Sequence, residues 1–130
     1  MVKWESHPDF PDIKISNNGM VYRNGNPVRL YERALFASKR YYFIVNDKVK
    51  GVYKSYRYDV HSLVFKLFSG QAIPKGFHIH HKDFNAKNNH IDNLELLSPK
   101  DHKLRHSSLK TKNHISWIRI QFTYFKKITN

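Results

Sequence analysis

The sequence predicts an α+β fold: an amino-terminal antiparallel β-sheet, then one helix, then a strand–loop–strand–helix unit. Three observations predict it. Up to residue 58, apolar and polar residues alternate between Asn- and Gly-rich turns. From Asp59 the apolar spacing changes to a helical period. From His78 to His106 the stretch HIHHKDFNAKNNHIDNLELLSPKDHKLRH gathers six of the nine histidines and four asparagines, with no cysteine.

In the first half, Ile13 and Ile15 alternate with Lys14, and Ser16-Asn17-Asn18-Gly19 supplies turn residues that tolerate positive φ. A hairpin into Met20-Val21-Tyr22 follows, then a second turn signal at Asn24-Gly25-Asn26-Pro27. Two further strands are expected at Tyr41 to Val45 and Val49 to Tyr56, separated by Asn46-Asp47-Lys48. Val60, Leu63, Val64, Leu67 and Phe68 share one helical face over Asp59 to Phe68, and Ser69-Gly70 stops that helix. Short strands at Phe77 to His81 and Leu94 to Leu97 flank a polar loop rich in Asn and Lys. Ser98-Pro99-Lys100-Asp101 opens a second helix, with Ser98 as N-cap, Pro99 in the first turn and Asp101 near the positive dipole end. That helix places His102 and His106 one turn apart. In the tail, Ile118, Ile120, Phe122 and Tyr124 alternate with polar residues as a half-buried strand would.

Composition narrows the function. The 23 Lys and Arg against 10 Asp and Glu leave a formal charge of +13, an excess that opposes compaction and suits a polyanionic partner. No apolar run approaches the roughly 20 residues needed to span a bilayer, and the start MVKWESHPDFPDIK lacks the apolar core of a secretory signal. The absence of cysteine excludes disulfides and thiolate metal sites. The expectation is an intracellular protein facing nucleic acid. Arg23, Arg29, Arg40, Lys50, Lys54 and Arg57 in the first half, with Lys82 and Arg105 in the second, are the candidate DNA-binding residues. A basic face on a β-ribbon suits the DNA major groove.

The histidine stretch points to phosphodiester chemistry. Hydrolysis needs charge stabilisation at the scissile phosphate and a base to activate water. Imidazole serves as a divalent-metal ligand or as a base near neutral pH. Neighbouring strand residues face opposite sides, so His80 and His81 can take different tasks. His78 and His90 are expected to be hydrogen-bonded core residues, and Asn88-Asn89 to be turn residues.

The stretch His78 to His106 resembles the HNH endonuclease motif, the ββα-metal or His-Me finger site. Upstream, FPDIKISNNGMVY and VHSLVFKLF are similar to elements that precede this site in phage and intron-encoded homing endonucleases. The resemblance covers roughly residues 4 to 106. It implies His81 as general base, His80 and His102 as ligands of a divalent metal, and Asn93 as the central motif residue that holds the loop and helps orient the catalytic histidine. His106 follows as a contact to phosphate or metal. It further implies magnesium as the ion, with manganese as the alternative, and double-stranded DNA as the substrate, cut to leave 5′-phosphate and 3′-hydroxyl ends in the cytoplasm of a phage or mobile-element host.

The expected organisation is a β-rich DNA-binding region over 1–58, an HNH nuclease region over 59–109 and a basic, aromatic tail over 110–130, in a monomer rather than a dimer. A non-catalytic DNA-binding module with a structural histidine-bound metal is the alternative, although structural zinc sites commonly include cysteine. An RNA-binding protein stacking bases on its tyrosines would explain the composition but not the spacing of His80, His81, Asn93 and His102.

Overall fold

The computed structural model describes residues 1–35 and 38–112 of the 130-residue chain. It is an α+β fold, as the sequence predicts. Strands β1 (Trp4–Ser6), β2 (Ile13–Ser16), β3 (Val21–Arg23) and β4 (Asn26–Pro27) form one antiparallel sheet in that order. Strands β5 (Tyr31–Leu35), β6 (Ser38–Val49) and β7 (Val52–Asp59) form a second. Helix α1 (Val60–Ser69) follows, then the antiparallel pair β8 (His78–His81) and β9 (Leu94–Leu97), then helix α2 (Pro99–Lys112).

Local chemistry explains the hairpins. In β2, Ile13 and Ile15 point inward and are almost fully buried, while Lys14 faces solvent. The β3–β4 turn has positive φ at Asn24 and Gly25, as a tight two-residue hairpin turn requires. The β6–β7 ribbon departs from expectation. Asn46-Asp47-Lys48 does not break it, because these residues pair with Ser55, Lys54 and Tyr53 across the ladder. The turn falls instead at Lys50 (φ 53°) and Gly51 (φ 80°). Strands β1 and β5 carry no clear signal in the sequence, since WES and YERAL lack clean alternation.

Helix α1 ends as expected on Gly70, in the left-handed region at φ 68°. Its starting Asp59 makes no side-chain cap bond. Packing therefore carries this helix: Val60, Leu63, Val64 and Phe65 are buried and join Ile13, Ile15, Val21, Phe43, Val45, Ile79 and Leu94 in one core. Fully burying one such side chain contributes roughly 1.5–3 kcal/mol. This core draws on all three sheets and on α1, and so crosses the expected boundary between residues 58 and 59. Tyr58 and Phe10 extend it with edge-on ring contacts at 6.2 Å, and Phe43 lies 5.6 Å from Tyr58.

Helix α2 is capped as its sequence predicts. The amide of Asp101 donates to Ser98 Oγ at 3.1 Å, and the amide of His102 to the Ser98 carbonyl at 2.9 Å. Among the described residues, no helix is long and apolar enough to cross a membrane. The strand expected at Ile118 to Tyr124, and most of the 110–130 tail, lie outside the described residues.

Candidate active site

Strands β8 and β9 and helix α2 bring the histidines together. In the β8–β9 register His80 opposes Glu95 and His81 opposes Leu94. His80 turns toward α2, with its ring centroid 5.7 Å from that of His102, 5.4 Å from His106 and 4.8 Å from Phe84. His81 turns toward α1, 5.5 Å from the His61 ring. Both are buried. A cavity of about 90 Å³ opens between them, lined by Arg40, His80, His81, Phe84, His102 and His106 among others.

A carboxylate fixes His80. Nδ1 donates to Glu95 Oε1 at 3.0 Å, and the same oxygen accepts from Arg105 Nη1 at 2.6 Å. Burial pushes the His80 imidazole below its ordinary pKa against the pull of Glu95, so the contact is a hydrogen bond from a neutral ring rather than an ion pair. Nε2 then carries the lone pair, and it is buried with no partner among the described residues. Burial also lowers His102 and His106, with neighbouring imidazoles adding to the effect. Their Nε2 atoms lie 3.3 Å apart. Uncharged rings with available lone pairs are what metal ligation requires. The buried, orphaned Nε2 of His80 beside these two rings fits a divalent ion. Among the described residues no three His, Asp or Glu side chains already stand in ligating positions, so His102 and His106 would have to turn away from each other to complete such a set.

His81 is likewise lowered by burial, against a hydrogen bond with Asn89 that raises it. Its Nε2 lies 2.9 Å from Asn89 Oδ1. Behind it, His61 is pushed down to about 3, chiefly by burial and then by Arg40 and His81.

Asn93 is the hub of the 82–93 loop. Its Nδ2 donates to Asp83 Oδ1 at 2.9 Å and to the Asn88 carbonyl at 2.8 Å. Its Oδ1 accepts from the Asp83 amide at 3.0 Å, and its carbonyl from the Lys82 amide at 2.8 Å. It therefore holds the loop, but the carboxamide that touches His81 belongs to Asn89. The loop also holds Phe84 at φ 60°, where a bulky side chain costs roughly 1–2 kcal/mol. The Phe84 amide donates to the His81 carbonyl at 2.9 Å.

Of the candidate residues, the cavity collects Arg40, His80, His81, His102 and His106. The Nε of Arg40 is buried without a partner among the described residues. Arg105 sits behind His80 through Glu95, and Lys82 Nζ donates to the Asp92 carbonyl at 3.1 Å. The rest do not line the cavity. Arg23 pairs with Asp12 at 2.7 Å and with Asp47, Arg29 lies over Tyr31 and Arg57 over Tyr42, Lys54 lies over Tyr56, and Lys50 is in the ribbon turn. Two expectations fail. His78 is exposed and stacks on His102 at 4.7 Å instead of entering the core, because strand alternation gives Ile79 the inward place. His90 is only half-buried, and its Nδ1 accepts from the Asp92 amide at 3.1 Å to cap the short turn Ile91–Asn93. Sequence reasoning also missed Glu95, Asn89, Phe84 and His61. Only Glu95 left a signal, as the one charged residue in the strand facing His80, and it needed the register to be read.

Comparison with known proteins finds similarity in both sequence and fold. Residues 58–104 match the family model described as HNH endonuclease. Over 47 residues the chain is 49% identical to YosQ of Bacillus subtilis strain 168, whose name describes an SPbeta prophage-derived HNH homing endonuclease. That match covers 36% of this chain and 27% of YosQ, so it spans about a quarter of that relative. The HNH homing endonuclease I-HmuI, solved in a study of DNA binding and cleavage, superposes with a TM-score of 0.67 at 21% identity, over 92% of this chain and 67% of its own. Residues 58–104 are thus similar to HNH endonucleases, and the chain shares the fold of I-HmuI.

Proposed function

We propose that this chain is a metal-dependent HNH homing endonuclease that hydrolyses a phosphodiester of double-stranded DNA at a specific site. One observation carries the reading: the unpartnered Nε2 of His80, the rings of His102 and His106, and His81 all border one cavity. His81, neutral at pH 7, takes a proton from the attacking water. His80 and His102, joined by His106, would hold a divalent ion, which when bound supplies positive charge to the scissile phosphate and leaving oxygen. Three imidazoles are softer donors than Mg²⁺ prefers, so Mn²⁺ is expected to bind more tightly, with Mg²⁺ sufficing once phosphate oxygens join. Arg40, which lines the cavity, meets the phosphate. Lys50 and Lys54 on the β6–β7 ribbon reach the groove beyond it. Such a protein works in the cytoplasm of the cell that carries its target.

The test is cleavage of target plasmid with and without Mg²⁺ or Mn²⁺. Wild type should cut only with metal. His81→Ala should lose roughly 10²- to 10⁴-fold in rate, with DNA affinity nearly unchanged. His80→Ala and His102→Ala should weaken metal binding and recover partly in excess metal, whereas His81→Ala should not. Metal-independent cleavage would remove the reading, and an identical metal response in all three variants would remove the division of roles. A binding module with a structural metal would retain DNA without cutting it.

A further inference from the structure

We infer that Asn89, braced by the β2–β3 turn at Gly19, fixes the proton of His81 on Nε2 and so presents Nδ1 as the nitrogen that activates water. This rests on the reading of His81 as the base. It makes Asn89 a positioning residue and the amino-terminal sheet a working part of the catalytic unit.

The contact is specific in chemistry. Asn89 Oδ1 lies 2.9 Å from His81 Nε2, and an amide oxygen can only accept. The hydrogen must therefore come from Nε2. A neutral imidazole has one N–H, so Nδ1 is left with the lone pair. Asn89 is 3% exposed, which shuts water out of the pair and strengthens the bond. A base in the wrong tautomer would present a hydrogen, rather than a lone pair, to the water it must deprotonate.

What holds Asn89 is the turn between β2 and β3. Gly19 is buried at φ +90°, and a Cβ built there would stand 2.9 Å from Asn89 Cβ. That atom is bonded directly to the backbone and cannot swing aside as a flexible side-chain end can. Two residues further on, the Ile91 amide donates to the Asn17 carbonyl at 2.8 Å. The turn thus grips the loop at both Asn89 and Ile91. Asn17 is tied in turn to the chain start, its Oδ1 accepting from the Lys3 amide and its Nδ2 donating to the Met1 carbonyl, each at 3.2 Å.

Nitrogen NMR of the full chain with labelled histidine reads the tautomer directly, and the wild-type spectrum needs no variant to fold. Neutral His81 should be protonated on Nε2. Asn89→Ala should lose that single tautomer and fall about 10- to 100-fold in kcat, with DNA affinity unchanged. Asn89→Asp keeps the acceptor and should keep both the tautomer and most of the rate. Gly19→Ala should reproduce the Asn89→Ala signature in milder form. A wild-type His81 protonated on Nδ1 would overturn the inference, as would an unaltered tautomer in Asn89→Ala. Full cleavage by Asn89→Ala beside an inactive His81→Ala would fell this inference alone. Full cleavage by His81→Ala would instead fell the base assignment.

Discussion

His61 shows how a single buried ring ties stability to the site. Held neutral beside His81 with its pKa pushed down to about 3, it differs sharply from the same residue in the unfolded chain, near 6.5. Above pH 6.5 both states are neutral and the burial costs nothing in protonation. As pH falls from 6.5 toward 3, only the unfolded chain takes up the proton, so stability is lost over that window, by roughly a few kcal/mol at most. His7, His80, His81, His102 and His106 are shifted in the same direction and add to the loss. The urea midpoint should therefore drop between pH 7 and pH 4, and His61→Leu should narrow that drop. Equal pH dependence in variant and wild type would remove His61 from the account. The sequence could not show this. His61 reads there as one polar residue in a helix, and only packing against β8 reveals that it is buried. That His80, His81 and His102 come together was legible because their spacing along the chain translates into strand and helix geometry, whereas their roles rested on the family resemblance. Asn89 and Glu95 were not legible: Glu95 meets His80 through a strand register, and Asn89 meets His81 through a loop path, that sequence does not specify.

At the scale of elements, the β6–β7 ribbon carries exposed basic residues that the proposed function sets against DNA. Its turn holds Lys50, and Lys54 follows on β7, whereas the Arg23 guanidinium is already engaged by Asp12 and Asp47. Neutralising Lys50 and Lys54 to Gln should flatten the log–log salt dependence of DNA binding by about 0.9 for each phosphate that a lysine no longer neutralises. Arg23→Gln should leave the slope alone and cost on the order of 1 kcal/mol or less in stability, as a half-exposed ion pair does. An unchanged slope in the double Lys variant would show that the ribbon does not meet the backbone of DNA. The ribbon also marks where element prediction from sequence fails. Asn46 and Asp47 are turn formers in isolation, yet Asn46 Oδ1 accepts from Ser55 Oγ at 2.5 Å and Asp47 holds Arg23, so the ladder runs through them. The helix ends are more legible, because Gly70 and Ser98 act locally and need no distant partner.

For the whole molecule, the arrangement of one site limits what a single turnover can do. His80 and His81 occur as a pair once, and among the described residues they border a single histidine-lined cavity. The two strands of a duplex run antiparallel and present their scissile phosphates in opposite orientations. One site must therefore nick one strand, then reorient or recruit a second copy to cut the other. A closed dimer would be two-fold symmetric and bury roughly 1,600 Å² around an apolar patch. Among the described residues, large exposed apolar side chains are instead spread over separate elements, including Trp4 on β1, Ile44 on β6, Val52 and Tyr53 on β7, Phe84 in the loop and Leu104 on α2. The net charge of +13 adds repulsion between free copies. The proposed reading is therefore a monomer that nicks. On supercoiled plasmid carrying the target, open circles should appear first, at a rate proportional to enzyme concentration, with linear product late or absent. Linear product at the earliest times, rising as the square of enzyme concentration, would show instead that two copies act together.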